Sequence, residues 1–248
     1  MSDHKIVARE DWVTARKELL AQEKEFTRLR DELTKKRQQL PWSKVEQEYV
    51  FEGKDGKESL AELFGECSQL IVYHFMFDPE WTDGCKSCSL LADHYNPAVV
   101  HLKQRDVELV TISRARLETL LAFQKRMGWS FKWLSSLEND FNRDFGVTFT
   151  PQELEQGPVH YNYQETTFPM TEAPGISAFY KDERGDVFHT YSSYARGLDL
   201  FITAYNLLDI TPKGRDEAGL NYSMEWVRHH DSYGADSRDP YAGVLTPE

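Results

Sequence analysis

Two of the chain's three cysteines stand three residues apart in the stretch HFMFDPEWTDGCKSC, as Cys85 and Cys88. An apolar run, QLIVYHFMF, leads into them, and a helical pattern, SCSLLADHY, leads away. A cysteine placed where a strand hands over to a helix meets unpaired backbone amides and the positive end of the helix dipole. Both favour an anion, so the thiol pKa falls and more of the nucleophilic thiolate is present. Lys86 adds a positive neighbour, whereas Asp78, Glu80 and Asp83 act in the opposite sense, and the sequence leaves that balance open. Helical spacing puts Cys88 one turn on, on the side of Leu91, Ala92 and Tyr95. One exposed and one shielded sulfur is the arrangement for attack on a disulfide followed by resolution through a mixed disulfide.

Other uses of the pair are zinc binding, with His74, His94 or His101 completing the ligands, and two idle core cysteines. There is no second C-x-x-C, and Cys67 stands only a few residues before the strand. No cofactor is implied.

Those residues must be held by a folded body, and a chain of 248 residues with 40% hydrophobic and 13% aromatic content can build one. The net charge of −12 argues against nucleic acid as a partner, because phosphate binding needs a cationic face. The N-terminus, MSDHKIVAREDW, shows no apolar secretory segment, and the run from Leu70 to Phe77 is too short to cross a bilayer. The expectation is a soluble, cytoplasmic protein with no membrane partner. In a reducing compartment a close cysteine pair is more often catalytic or metal-binding than a structural staple.

From Arg9 to Gln39 the apolar residues Trp12, Leu19, Phe26 and Leu33 recur every seven, giving one narrow helical stripe that Pro41 stops. Gln22 and Lys36 interrupt a full coiled-coil seam. This helical arm (1–44) would pack on the body or on a second subunit, making a homodimer. Beyond it, strands and helices alternate. A hairpin is expected around Gly53–Gly56, strands at Gln69–Phe77, Val107–Ser113 and Phe131–Ser135, and helices at Ser87–Tyr95 and Arg116–Met127. A long insertion covers about 148–172. A second hairpin, Gly175–Tyr180 with Val187–Tyr191, precedes a helix near Leu198–Leu208, and 212–248 forms a C-terminal extension. The pattern predicts an α/β domain over 45–211, with a central mixed sheet flanked by helices.

The region from Val45 to Leu208 resembles the thioredoxin-like superfamily. YVFEGKDGKESLAELF, QLIVYHFMFDPEWTDGC, ELVTISRA and DFGV look like successive pieces of its peroxiredoxin branch. Thr82 matches that branch's threonine three before the reactive cysteine, but Pro79 stands six before Cys85 where the branch has its proline seven before. The branch's arginine ahead of the strand GISAFY falls on or near Pro174. Thioredoxins carry a cis-proline there, facing the C-x-x-C and leaving neighbouring backbone free to pair with a substrate chain. The resemblance thus implies a cis Pro174 and dithiol exchange more than peroxide reduction.

Across nearly the whole chain, REDWVTARKELLAQEKEFTRLRDEL, YHFMFDPEWTDGCKSCS and DVFHTYSSYARGLD resemble a bacterial thioredoxin-like family, domain of unknown function 899, described as predicted dithiol–disulfide oxidoreductases. The implied activity is exchange with a protein or small-thiol partner, with Cys85 attacking and Cys88 resolving. Pro174, Trp81, Thr82 and Lys86 would shape the groove. A thiol peroxidase, or a binding module that has kept only the fold, are the rivals. Arg196 is expected in an ion pair. Adjacent His229 and His230 point apart, against a shared metal site, and His74 is either a satisfied core histidine or a neighbour that tunes the dithiol.

Overall fold

The computed structural model describes residues 4–233, in a chain that divides into two compact units, Met1–Pro41 and Trp42–Glu248. The first unit is helix α1 (Arg9–Gln38). No proline or glycine interrupts it, Glu10 and Asp11 occupy its first turn, and Lys35, Lys36 and Arg37 its last, so both ends complement the helix dipole. None of its residues is buried, and Trp12, Leu19, Phe26 and Leu33 are exposed.

The second unit is organised by an eight-stranded sheet in the order β1-β10-β9-β4-β5-β6-β2-β3. Its centre is β4 (Gln69–His74), parallel to β5 (Val107–Ser113), which is parallel to β6 (Lys132–Ser135). On the other side β9 (Gly175–Lys181) pairs antiparallel with β4, and β10 (Val187–Tyr194) with β9. The hairpin β2 (Val50–Gly53) and β3 (Gly56–Ser59) closes one edge, and the short β1 (Ser43–Lys44) the other.

Central strands are buried on both sides, and β4 shows why its sequence has almost no polar residues. Tyr73 faces a layer made by α2 (Lys86–Tyr95), α4 (Leu117–Met127) and α7 (Thr203–Leu208), packed through Leu91, Leu120, Phe123 and Tyr205. Leu70 and Val72 face the opposite layer, with Phe51, Phe64 and Phe141. Between α2 and β5 runs α3 (Val99–Lys103), and β6 is followed by α5 (Phe141–Asp144).

The strand expected to reach Phe77 stops at His74, although Phe75, Met76 and Phe77 stay buried. The expected helix near Leu198–Leu208 is a 3-10 turn, Ala195–Phe201, followed by α7, because Ile202 between them is extended. The insertion is ordered: it holds α6 (Pro151–Gln156) and the hairpin β7 (Val159–Tyr161) and β8 (Gln164–Thr166). Val147, Phe149, Val159, Tyr161, Ala173 and Tyr194 give it a small core of its own.

Gly175 opens β9 where this small core meets the sheet. A Cβ there would lie 2.7 Å from Tyr194 Cδ1 and 3.2 Å from Val147 Cγ1. Gly175→Ala is therefore expected to lower stability by about 1–3 kcal/mol through overpacking, read as a lower urea midpoint; an unchanged midpoint would show that the ring of Tyr194 yields freely.

Candidate active site

The loop from Phe75 to Gly84 carries the chain from the end of β4 to the start of α2. Asp78 organises it: Oδ1 accepts from the Glu80 N–H at 2.9 Å, and Oδ2 accepts from Thr171 Oγ1 at 2.7 Å. The Trp81 N–H donates to the Asp78 carbonyl at 3.1 Å. Gly84 passes so close to two rings that a Cβ would sit 2.7 Å from Phe75 Cε1 and 3.0 Å from Phe123 Cε1. Cys85 then caps α2, as expected, with its N–H donating to the Met76 carbonyl at 3.1 Å. Its carbonyl accepts from Ser89 N–H and Ser89 Oγ, both at 2.9 Å.

Around the Cys85 sulfur the acid–base balance left open by the sequence resolves in favour of the thiolate. A hydrogen bond from the Cys88 thiol is the main cause, with the Cys88 and Ser87 amides and the Lys86 charge helping; together they outweigh burial and lower the Cys85 pKa. Burial, then the neighbouring Cys85, push the Cys88 thiol well up, opposed by hydrogen bonds from Tyr73 and the Met76 amide. The two thiols are thus pushed in opposite directions, Cys85 down and Cys88 up.

The expectation of one exposed sulfur is corrected: Cys85 is 7% and Cys88 2% exposed. Both sulfurs belong to the core packed between the central strand and the helices. Part of the C-terminal extension also returns to this loop, while 234–248 lie outside the described residues. Val227 and His229 are buried, and His229 Nε2 lies 2.9 Å from the Gly84 carbonyl. Arg126 of α4 joins Asp83 at 2.5 Å to Asp231 at 2.8 Å, and His230 Nδ1 meets Asp93 Oδ1 at 2.8 Å.

Pro174 is corrected as well. Every peptide bond among the described residues is trans. The backbone beside Pro174 is taken up within the chain: the Ala173 N–H donates to the Val147 carbonyl at 2.9 Å, and the Phe149 N–H to Thr171 at 2.8 Å. The Pro174 carbonyl accepts from Tyr161 Oη at 2.8 Å. Lys86 is buried at 1% exposure, Trp81 is half-buried and Thr82 exposed. Trp81 separates two hollows. One, of about 840 Å³, is lined by Asp78, Arg114, Arg143 and Phe149; the other, of about 560 Å³, by Thr82, Asp83, Phe123 and Arg126.

His74 sits on the far face of the sheet from Tyr73, stacked on Phe141 with centroids 5.5 Å apart. Its Nε2 meets Ser177 Oγ at 2.8 Å, Ser177 meets Ser192 at 2.7 Å, and Ser192 meets His189 Nε2 at 2.7 Å. Burial, with the His189 charge, lowers His74 to about 3, so it is a neutral core histidine. His94 Nε2 accepts from the Ala204 N–H at 3.1 Å. No cluster of three His, Cys, Asp or Glu among the described residues is placed to hold a metal. Arg196 pairs with Asp199 at 3.3 Å.

Sequence reasoning missed Glu172 and Arg114. Glu172 is 1% exposed, accepts from Thr148 Oγ1 at 2.9 Å and faces Arg114 at 3.0 Å. Burial outweighs Arg114 and Thr148 and raises the carboxyl to about 8. Its place two residues before Pro174 was the only hint in the sequence.

A mixed sheet with a dithiol at the mouth of its central parallel strand, capping the following helix, defines a thioredoxin-like α/β protein. The family model described as "Bacterial protein of unknown function (DUF899)" matches residues 1–233, and the chain belongs to that family. No curated protein matches the sequence. Among solved structures, peroxidoxin BcpB from Mycobacterium tuberculosis aligns at 12% identity and a TM-score of 0.45, over 66% of this chain and 94% of that one. Peroxiredoxin Q from Xanthomonas campestris aligns at 12% identity and 0.42, over 62% and 87%. A protein assigned as the thiol:disulfide interchange protein DsbE from Chlorobium tepidum aligns at 14% identity and 0.41, over 66% and 97%. Among the described residues no helix is long and apolar enough to cross a membrane.

Two measurements test the electrostatics. The pH dependence of Cys85 alkylation should inflect below the ~8.5 of a free thiol, and Cys88→Ala, which removes the main stabilising bond, should move the inflection up. An inflection that stays put would assign the shift to the amides and Lys86. For Glu172, the folded value of about 8 lies above the ordinary carboxyl range, so the folded state holds a proton that the unfolded chain releases. Stability then declines as pH rises from about 4.5 towards 8. Glu172→Gln should flatten the melting temperature over that window; parallel curves for both proteins would mean that Arg114 keeps the carboxyl ionised.

Proposed function

We propose that the protein is a dithiol–disulfide oxidoreductase in which Cys85 attacks and Cys88 resolves. The observation that carries this reading is the position of two free cysteines at the mouth of the central strand, Cys85 at the N-cap of α2 and Cys88 in its first turn, where the Cys88 thiol and the Ser87 and Cys88 amides lower the Cys85 pKa. Those donors offset the cost of holding an anion out of water and leave the thiolate as a ready nucleophile.

In the first half-reaction the Cys85 thiolate attacks one sulfur of a substrate disulfide. The substrate S–S bond breaks, a Cys85–substrate disulfide forms, and the second substrate sulfur leaves as a thiolate that takes up a proton. Cys85 is now neutral, so burial still raises Cys88 but the contribution of the Cys85 charge is gone. The bonds from Tyr73 and the Met76 amide remain and favour the Cys88 thiolate. Cys88 then gives up its proton and attacks Cys85 Sγ; the Cys85–Cys88 bond forms, the Cys85–substrate bond breaks, and the remaining substrate sulfur leaves as a thiolate that takes up that proton. Two electrons have passed from the enzyme to the substrate, and a thiol partner restores the dithiol.

Turnover of glutathione disulfide with dithiothreitol as the reductant tests the assignment. Cys85→Ser should abolish turnover above the uncatalysed rate, and Cys88→Ser should stop at a mixed disulfide of glutathione on Cys85, seen as added mass. Turnover by Cys85→Ser equal to that of the unaltered protein would remove Cys85 from the mechanism.

A further inference from the structure

We infer that the site is built for a low-molecular-weight disulfide and not for a stretch of polypeptide; this rests on the reading of Cys85 as the nucleophile. Two separate features of the structure lead there.

The first is the edge beside Pro174. A protein that recognises an extended peptide through its backbone must offer unused N–H and C=O groups to it. Here the chain has used them itself. The segment Val147–Phe149 lies against Thr171–Ala173, with Ala173 N–H on the Val147 carbonyl at 2.9 Å and Phe149 N–H on the Thr171 carbonyl at 2.8 Å. Tyr161 Oη donates to the Pro174 carbonyl at 2.8 Å, and the same oxygen accepts from the Ala195 N–H at 3.0 Å. Tyr161 and Val147 belong to the small core of the insertion, so a substrate peptide would have to displace packed residues to reach this edge.

The second is the C-terminal segment. It meets the chain beside Cys85, where His229 Nε2 lies 2.9 Å from the Gly84 carbonyl. Val227 anchors the segment at 0% exposure, while Arg126 ties Asp231 to the Asp83 end of the loop. Two hollows remain open beside the loop, one on each side of Trp81, of about 840 Å³ and about 560 Å³. Both have the volume of small-molecule pockets, enough for a disulfide carrying a few residues and too little for a folded partner. The chemistry is the exchange already written: one substrate S–S bond breaks, the Cys85–Cys88 bond forms, and the two released thiols carry away two electrons and two protons.

Labelling of Cys85 by two reagents of unequal size and equal chemistry tests this without requiring turnover. In a Cys67→Ala, Cys88→Ser protein, N-ethylmaleimide is compared with a maleimide carrying a long polyethylene glycol chain, and the rate ratio is normalised to the same protein in urea. The folded protein should favour the small reagent by at least about tenfold, as expected of a cover that is open in under about a tenth of the molecules. Loosening the cover with His229→Ala and Asp231→Asn, which keeps Val227, should bring the ratio back towards that in urea. A folded-state ratio equal to that in urea overturns the proposal, whether or not the loosened variant folds. So does a ratio unchanged in a folded loosened variant. If Cys85 is not a redox nucleophile, glutathione disulfide is not reduced, yet the labelling ratio still reports access; the two failures are thereby told apart.

Discussion

A buried thiol whose pKa is held down is the constraint to which this structure answers. Cys85 is almost wholly removed from water, and a charge in that position is tolerated only where oriented donors replace its hydration. The donors come from the first turn of α2 and from Cys88 itself. In the proposed reaction the second cysteine therefore has two tasks that differ in time. Before attack it supplies a proton to a hydrogen bond; after attack it would become the resolving nucleophile. Tyr73, underneath on β4, connects this pair to the sheet, so the geometry of the dithiol follows the geometry of the central strand.

The sheet explains how the site stays rigid while lying in a loop. β4 is held between β5 and β9, and the Phe75 N–H still donates to the Ile112 carbonyl at 3.0 Å after the strand has formally ended. Ser113 Oγ donates to the Phe75 carbonyl at 2.7 Å and accepts from Trp133 Nε1 at 3.0 Å. The aromatic rings of Phe75, Phe77, Phe123 and Trp133 fill the space below, with Phe75 and Trp133 centroids 4.8 Å apart. Such close-packed rings leave the loop little room to shift.

Local pattern made much of the fold legible. The apolar runs of β4 and β5, the Asn-Pro after α2 and the glycine-bounded hairpins each encode their element within a few neighbouring residues. The Cys85–Cys88 spacing likewise placed the pair at the start of a helix. Three things were out of reach. The hairpin in the insertion has strands of three residues, too short for alternation to register, although Thr150 and Glu153 form a capping box that announces α6. The return of Val227 and His229 to the Gly84 end of the loop comes from far along the chain and from a stretch with no periodicity. The occupied edge beside Pro174 depends on Val147–Phe149, whose sequence says nothing about its partner. Long-range contacts of this kind are written in no local pattern, and they decided access to the site.

The order of synthesis gives the C-terminal cover a further meaning. Strand β4, the loop and helix α2 leave the ribosome well before Val227 and His229 exist. A domain can begin to fold while its chain is still growing, so each newly made molecule passes through an interval in which the reactive pair stands uncovered. During that interval any oxidant or partner would meet a wider entrance than the folded protein presents, and the segment that narrows it is made later than the loop it meets.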